Sequence, residues 1–170
     1  AVQLAKAEEL LKLAESDPKQ TKRAIAKVSV ICAYIKRRGN LLMLGEEGNI
    51  IPAIELEYCI RESLDNLRLG GVFTSFDSKC HGELKLEHAV AVFDFYENII
   101  ERLLDDATAM LIHLDCKDGF IKMRLQIGCN EDIAEHTLSE LSIPCGTFEW
   151  DIQDEDVTVT LLLSEGGDGK

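Results

Sequence analysis

The chain has 170 residues, of which 46% are hydrophobic, with a formal net charge of −13 at pH 7. The charge is split: residues 1–45 hold nine Lys/Arg against four Asp/Glu, whereas residues 46–170 hold nine against 27, so the larger part repels nucleic acid and anionic lipid. No run approaches the roughly 20 apolar residues of a membrane span, and no signal-peptide pattern opens the chain.

Ala1–Ser16 reads as a helix of good formers, with Leu4, Leu10, Leu11 and Ala14 set among Lys and Glu. Ser16-Asp17-Pro18 breaks it and starts a second helix with Pro at the first helical position. That helix runs to about Leu44 and ends at Gly45. Ile25, Val28, Cys32, Ile35, Gly39 and Leu42 recur along it in 3-4 steps, a heptad seam. Such a seam either joins two chains into a homodimer or packs the hairpin on its own domain. Lys36-Arg37-Arg38 in the same helix suits either an acidic or phosphate contact or a solvated face. The chain begins at Ala1 without an initiator Met, which reads as a piece of something longer, compatible with an upstream membrane anchor.

Residues 1–45 are therefore read as a helical hairpin, 46–51 as a linker, 52–163 as one domain and 164–170 as a disordered tail. Within the domain, Pro52–Leu69 is a helix with Ile54, Tyr58, Ile60, Leu64 and Leu67 apolar, stopped by Gly70-Gly71. A short strand over 72–76 and a polar loop over Asp77–Glu83 follow. Glu87–Leu104 is an amphipathic helix, with Val92, Phe95, Tyr96, Ile99 and Leu103 on its apolar face. Asp94, Glu97, Glu101 and Asp105 step along a neighbouring face. Like charges at this spacing repel by a few tenths of a kcal/mol per pair, so the row needs solvation or a use. One use is a metal-dependent hydrolase built on these four carboxylates.

Lys117-Asp118-Gly119 supplies a hairpin turn between strands over 109–115 and 120–127. Met110, Ile112 and Leu114 alternate on the first; Ile121, Met123, Leu125 and Ile127 alternate with Lys122, Arg124 and Gln126 on the second, giving one buried and one wet face. Residues 131–141 are helix-prone. Strands over 147–152 and 157–163 close the domain, with Phe148, Trp150, Ile152 and Val157, Val159, Leu161, Leu163 inward. The fold class is α+β: a helical hairpin, then a two-layer α/β sandwich with helices on one face of a mixed sheet. The six cysteines form no C-x-x-C pair and read as buried reduced thiols in a cytosolic protein, with a zinc site as the alternative. His81 and His88 read as surface residues, and His113 and His136 as isolated.

The segment FDFYENIIERLLDDATAMLIHLDCKDGFIKMRLQI, residues 93–127, resembles the adenine-nucleotide-binding domain of sensor histidine kinases. There a helix with a Glu-x-x-x-Asn core leads through an Ala-containing turn into two strands, the Bergerat-type fold. In the resemblance Glu97 falls on the family's glutamate, Glu101 on its magnesium-liganding asparagine, and Asp105 where a histidine often stands. It implies ATP and Mg as cofactors, with Glu97 and Glu101 facing them. It further implies a response regulator as partner, a homodimer through Ile25, Val28, Cys32, Ile35 and Leu42, and a cytoplasmic location. The departures point the other way. After Ile127 the chain reads Gly128-Cys129-Asn130-Glu131-Asp132 where the family has Asp-x-Gly-x-Gly, and too few residues follow for a phosphate-cradling lid. No histidine sits in a His-Asp or His-Glu helical motif ahead of the hairpin. The expectation is a kinase-lineage signalling module whose degenerate site binds no ATP; the alternative is a non-catalytic dimerisation and docking module.

Overall fold

A computed structural model describes residues 2–16, 18–45, 48–117, 120–130, 133 and 136–164. The expected Asp118-Gly119 turn residues, most of the 131–135 stretch and the tail beyond Ser164 lie outside them. Two helices, α1 (Val2–Ser16) and α2 (Pro18–Leu44), form the hairpin. The domain continues with β1 (Ile50–Pro52), α3 (Ala53–Gly70), β2 (Phe73–Cys80), β3 (Glu83–Lys85), α4 (Leu86–Leu103), β4 (Ala107–Lys117), β5 (Phe120–Cys129), α5 (His136–Ser139), β6 (Thr147–Gln153) and β7 (Asp156–Ser164).

Five strands make one sheet in the order β2-β4-β5-β7-β6, and β1 pairs with β3 in a separate two-stranded ribbon. Among the described strands only β2 and β4 run parallel; β3 and α4 make the crossover between them. Alternation decides the faces. Met110, Ile112, Leu114, Ile121, Met123, Leu125, Val157, Val159 and Leu161 are buried on the helix side, and Tyr96, Phe93 and Phe95 of α4 are the largest fully buried side chains of the core. Lys122, Arg124 and Gln126 are exposed on the other side, so the helices cover one face.

The hairpin adds a layer to the expected two. α2 packs on α3 and α4, and α1 packs on α2. The approach is close: a Cβ built on Gly70, at the end of α3, would stand 2.8 Å from the Ala26 Cβ of α2. Gly71, at φ 98°, then donates its N–H to Arg68 and Leu67 carbonyls and turns the chain into β2.

Several local expectations change. The polar stretch Asp77–Cys80 belongs to β2, leaving only His81-Gly82 as the turn. β2 is the edge of the sheet, where one face meets water, and this hides a strand behind Asp77, Ser78 and Lys79. On α3, Ile54 and Tyr58 are exposed and the core is met by Leu56, Ile60, Leu64 and Leu67. Trp150 is also half out, stacked on Phe148. The cysteines are not all free thiols: Cys80 and Cys116 are joined by a disulfide. Cys32 is exposed, Cys59 and Cys129 are buried, and Cys145 lies between.

Candidate functional site

The four carboxylates of the row, three on α4 and Asp105 in the turn after it, face the hairpin, and it answers three of them with a different cation. Asp94 accepts the Tyr34 hydroxyl at 2.8 Å and a forked contact from Arg38, Nε to Oδ1 at 2.8 Å and Nη2 to Oδ2 at 3.0 Å. Glu101 accepts the Gln3 amide at 2.6 Å and the Lys6 ammonium at 2.8 Å. Lys27 pairs with Asp105. On α3, Glu62 accepts Lys36 at 2.8 Å and also Arg37. Lys36-Arg37-Arg38 is thus a docking triplet for two helices of its own chain, not a solvated face.

The electrostatics follow these contacts. Burial and then the bond to Asp94 push the Tyr34 hydroxyl up. The Asp94 bond likewise raises Arg38, while Lys36, then Arg37, hold Glu62 below the usual carboxylate range. The ring of Tyr34 sits 5.4 Å from that of Phe93, so an aromatic contact backs the polar one.

Glu97 is the exception. It is 2% exposed, and neither carboxyl oxygen has a hydrogen-bond partner. Burial, then the charges of Glu101 and Asp94, push its pKa up to about 8 against the pull of Lys6. The acid is therefore held mostly protonated at neutral pH. It lines a hollow of about 130 Å³ between α1, α2 and α4, walled by Leu10, Val30, Ile31 and Ile100.

The resemblance sets magnesium and nucleotide against this face, and as arranged the residues do not fit them. Small-molecule sites usually enclose about 300–1,000 Å³, and the Lys6 ammonium already stands on Glu101. A larger hollow of about 480 Å³ lies on the helix-free sheet face, over Ala109, Gln126, Gly128 and Thr158. After Ile127, Gly128 pairs with Ala109 and Asp156, and the N–H groups of Cys129 and Asn130 go to the Glu155 and Asp106 carbonyls. Among the described residues no group of three or more His, Cys, Asp or Glu is placed to hold a metal ion.

Two histidine expectations are corrected. His88 is buried at 6% exposure, and His113 Nδ1 lies 2.8 Å from Asp77 Oδ2. His81 is exposed as expected. Gln3, Lys6, Lys27, Tyr34 and Glu62 escaped the sequence reading as site residues. For Lys6, Lys27 and Glu62 the signal was the opposite charge of hairpin and domain; the neutral Gln3 and Tyr34 gave none.

The seam residues take the remaining side of α2. Ile25 is 51%, Ile35 37% and Leu42 42% exposed, Cys32 is exposed and Val28 half-buried. Ala24, Ala26, Val30, Ile31, Ala33 and Leu41 fill the buried faces instead. The hairpin therefore docks on its own domain and still presents the heptad seam outward.

No protein-family description and no curated protein matches the sequence. Solved structures do match. The Acinetobacter baumannii histidine kinase AdeS aligns over 97% of this chain and 96% of its own at 10% identity and a TM-score of 0.52. The histidine kinase domain from the Erythrobacter litoralis EL346 blue-light activated histidine kinase aligns over 95% of this chain and 92% of its own at 10% identity and a TM-score of 0.50. The chain has the α+β fold of histidine kinase domains, hairpin included.

Proposed function

We propose that the chain is a signal-transduction module of sensor histidine kinase lineage that works by dimerisation and docking, without nucleotide chemistry of its own. The observation that carries this reading is the occupied row along α4 and the turn after it: Asp94, Glu101 and Asp105 are each engaged by the hairpin. A magnesium-nucleotide would have to displace Lys6 and enter beside a protonated Glu97, and the surrounding net negative charge opposes a triphosphate. Residues 1–45 serve as the dimerisation hairpin and 52–163 as the docking domain. Ile25, Val28, Cys32, Ile35 and Leu42 form the interface with a second copy. An exposed apolar stripe at heptad spacing on a helix already docked by its other face supports that role. A response regulator is the partner suggested by the resemblance, and the cytoplasm the location. No described helix is long and apolar enough to cross a membrane.

The reading is tested by light scattering of the chain at micromolar concentration with and without Mg-ATP. A dimer indifferent to nucleotide is expected. A monomer overturns the interface, and saturable ATP binding overturns the nucleotide-free role. The metal-hydrolase alternative draws no support from a row in which Asp94, Glu101 and Asp105 are paired with Arg38, Lys6 and Lys27 and Glu97 is buried.

A further inference from the structure

Cys80 and Cys116 are direct partners in the parallel register of β2 and β4, with Cα atoms 4.4 Å apart and a disulfide between them. Both are nearly buried, at 6% and 9% exposure. Cys80 is the last residue of β2, which has β4 as its one neighbour in the sheet. The link therefore closes the open end of an edge strand, immediately before the His81-Gly82 turn. Edge strands are held from one side only and fray first.

The strand carries more than its own ladder. Ser78 Oγ donates to Glu57 Oε1 at 2.6 Å, Arg68 donates to the Thr74 carbonyl at 3.1 Å, and the Arg61 guanidinium lies 4.7 Å from the Phe76 ring centre. Glu57, Arg61 and Arg68 all belong to α3, which also carries Glu62, the acceptor for Lys36 and Arg37. From these contacts we infer that Cys80 and Cys116 are a redox-controlled clasp, whose closure fastens β2 to the sheet and through β2 steadies α3. This goes beyond the docking role proposed above and holds whether or not the chain dimerises.

The chemistry is thiol–disulfide exchange with a small disulfide such as oxidised glutathione. One protein thiolate attacks a sulfur of the small disulfide, forming a mixed disulfide and expelling one glutathione thiolate. The second protein thiolate then displaces the remaining glutathione, forming the Cys80–Cys116 bond. Two electrons pass from the protein thiols to the glutathione pair, and the two protein protons end on the two released thiols. Cys59 and Cys129 stay free thiols: Cys59 lies on α3, and Cys129 stands opposite Ala107 in the β4–β5 register.

To test it, the 170-residue chain is equilibrated with graded ratios of reduced to oxidised glutathione. Remaining thiols are then blocked under denaturing conditions and the cysteine peptides mapped by mass. The expected result is a Cys80–Cys116 peptide pair that is linked in oxidising and free in reducing mixtures. The linked form should melt several degrees higher and show slower amide exchange over residues 73–80. Cys80→Ser and Cys116→Ser should each melt like the reduced wild type and ignore the glutathione ratio. Three outcomes overturn the clasp: no linked pair at any ratio, a pair that survives excess reduced glutathione, or equal melting and exchange in both states. The wild-type arm alone decides among these if a serine variant fails to fold.

Discussion

Arg38 of α2 closes on Asp94 of α4 with a planar fork, Nε and Nη2 each meeting one carboxylate oxygen at 2.8 and 3.0 Å. Hairpin and domain are joined there by geometry as well as charge, because a guanidinium matches a carboxylate in a way an ammonium does not. The Arg38 side chain is 37% exposed and Asp94 29%, so screening discounts the pair. A double-mutant cycle of Arg38→Ala with Asp94→Asn, measured by urea unfolding, should return a coupling of about 1 kcal/mol that shrinks in salt. Arg38→Lys should recover only part of it. Zero coupling would show that the fork is incidental to docking.

The seam predicts a separable behaviour. Ile35 is 37% exposed and Val28 half-buried, each one helical turn beyond a buried residue of α2, Ile31 and Ala24, so both stand at the open margin of the docked face. Val28→Glu with Ile35→Glu should convert a dimer into a monomer in light scattering, since each aliphatic buried in an interface contributes roughly 1.5–3 kcal/mol. The melting profile of the resulting monomer should still show a folded domain. Loss of folding along with the dimer would mean that the seam packs internally.

What the sequence disclosed follows from how far apart the interacting residues lie. α4 and the β4–β5 pair were readable because their signals are local: three- and four-residue steps in Val92–Leu103, and two-residue alternation from Ile121 to Ile127. β1 and β3 span three residues each, too short for any period to register. The row Asp94, Glu97, Glu101 and Asp105 was visible as a row, but its partners were not. Arg38 is 56 residues from Asp94 and Lys6 is 95 from Glu101, and no spacing rule spans such gaps. The disulfide escaped for a related reason. Cys80 and Cys116 meet through a parallel register 36 residues apart, and a crossover of that length leaves the register undetermined.

Nucleotide should leave the chain unmoved. A ligand at a hundred times its Kd stabilises a fold by about 2.7 kcal/mol, which appears as a melting shift of several degrees. No shift is expected with millimolar Mg-ATP. Glu101→Asn alone should not create one, because it restores a single ligand while Lys6, the small hollow and the segment after Ile127 remain. It should instead lower stability by about 1 kcal/mol, through loss of a partly exposed charge-assisted contact to Lys6 and Gln3. A clear ATP-dependent shift in the unmodified chain would reveal nucleotide-binding geometry absent from this arrangement.

Glu97 gives the fold a pH dependence whose sign is fixed by its burial. In the folded chain its pKa is pushed up to about 8, first by burial and then by Glu101 and Asp94, with Lys6 opposing. In the unfolded chain it returns to an ordinary glutamate value of about 4.3. The folded state thus holds its proton over a range where the unfolded state has lost it. The stabilisation is complete below the unfolded value, declines as pH rises, and is gone above about 8. Between pH 6 and 9 the wild type should lose about 2–3 kcal/mol by urea unfolding, the linkage of one proton over some two pH units. Glu97→Gln keeps the shape and the neutral charge of the protonated acid. It should therefore flatten that window and be more stable than wild type at pH 9. If the two proteins lose stability in parallel, Glu97 is not the group that titrates.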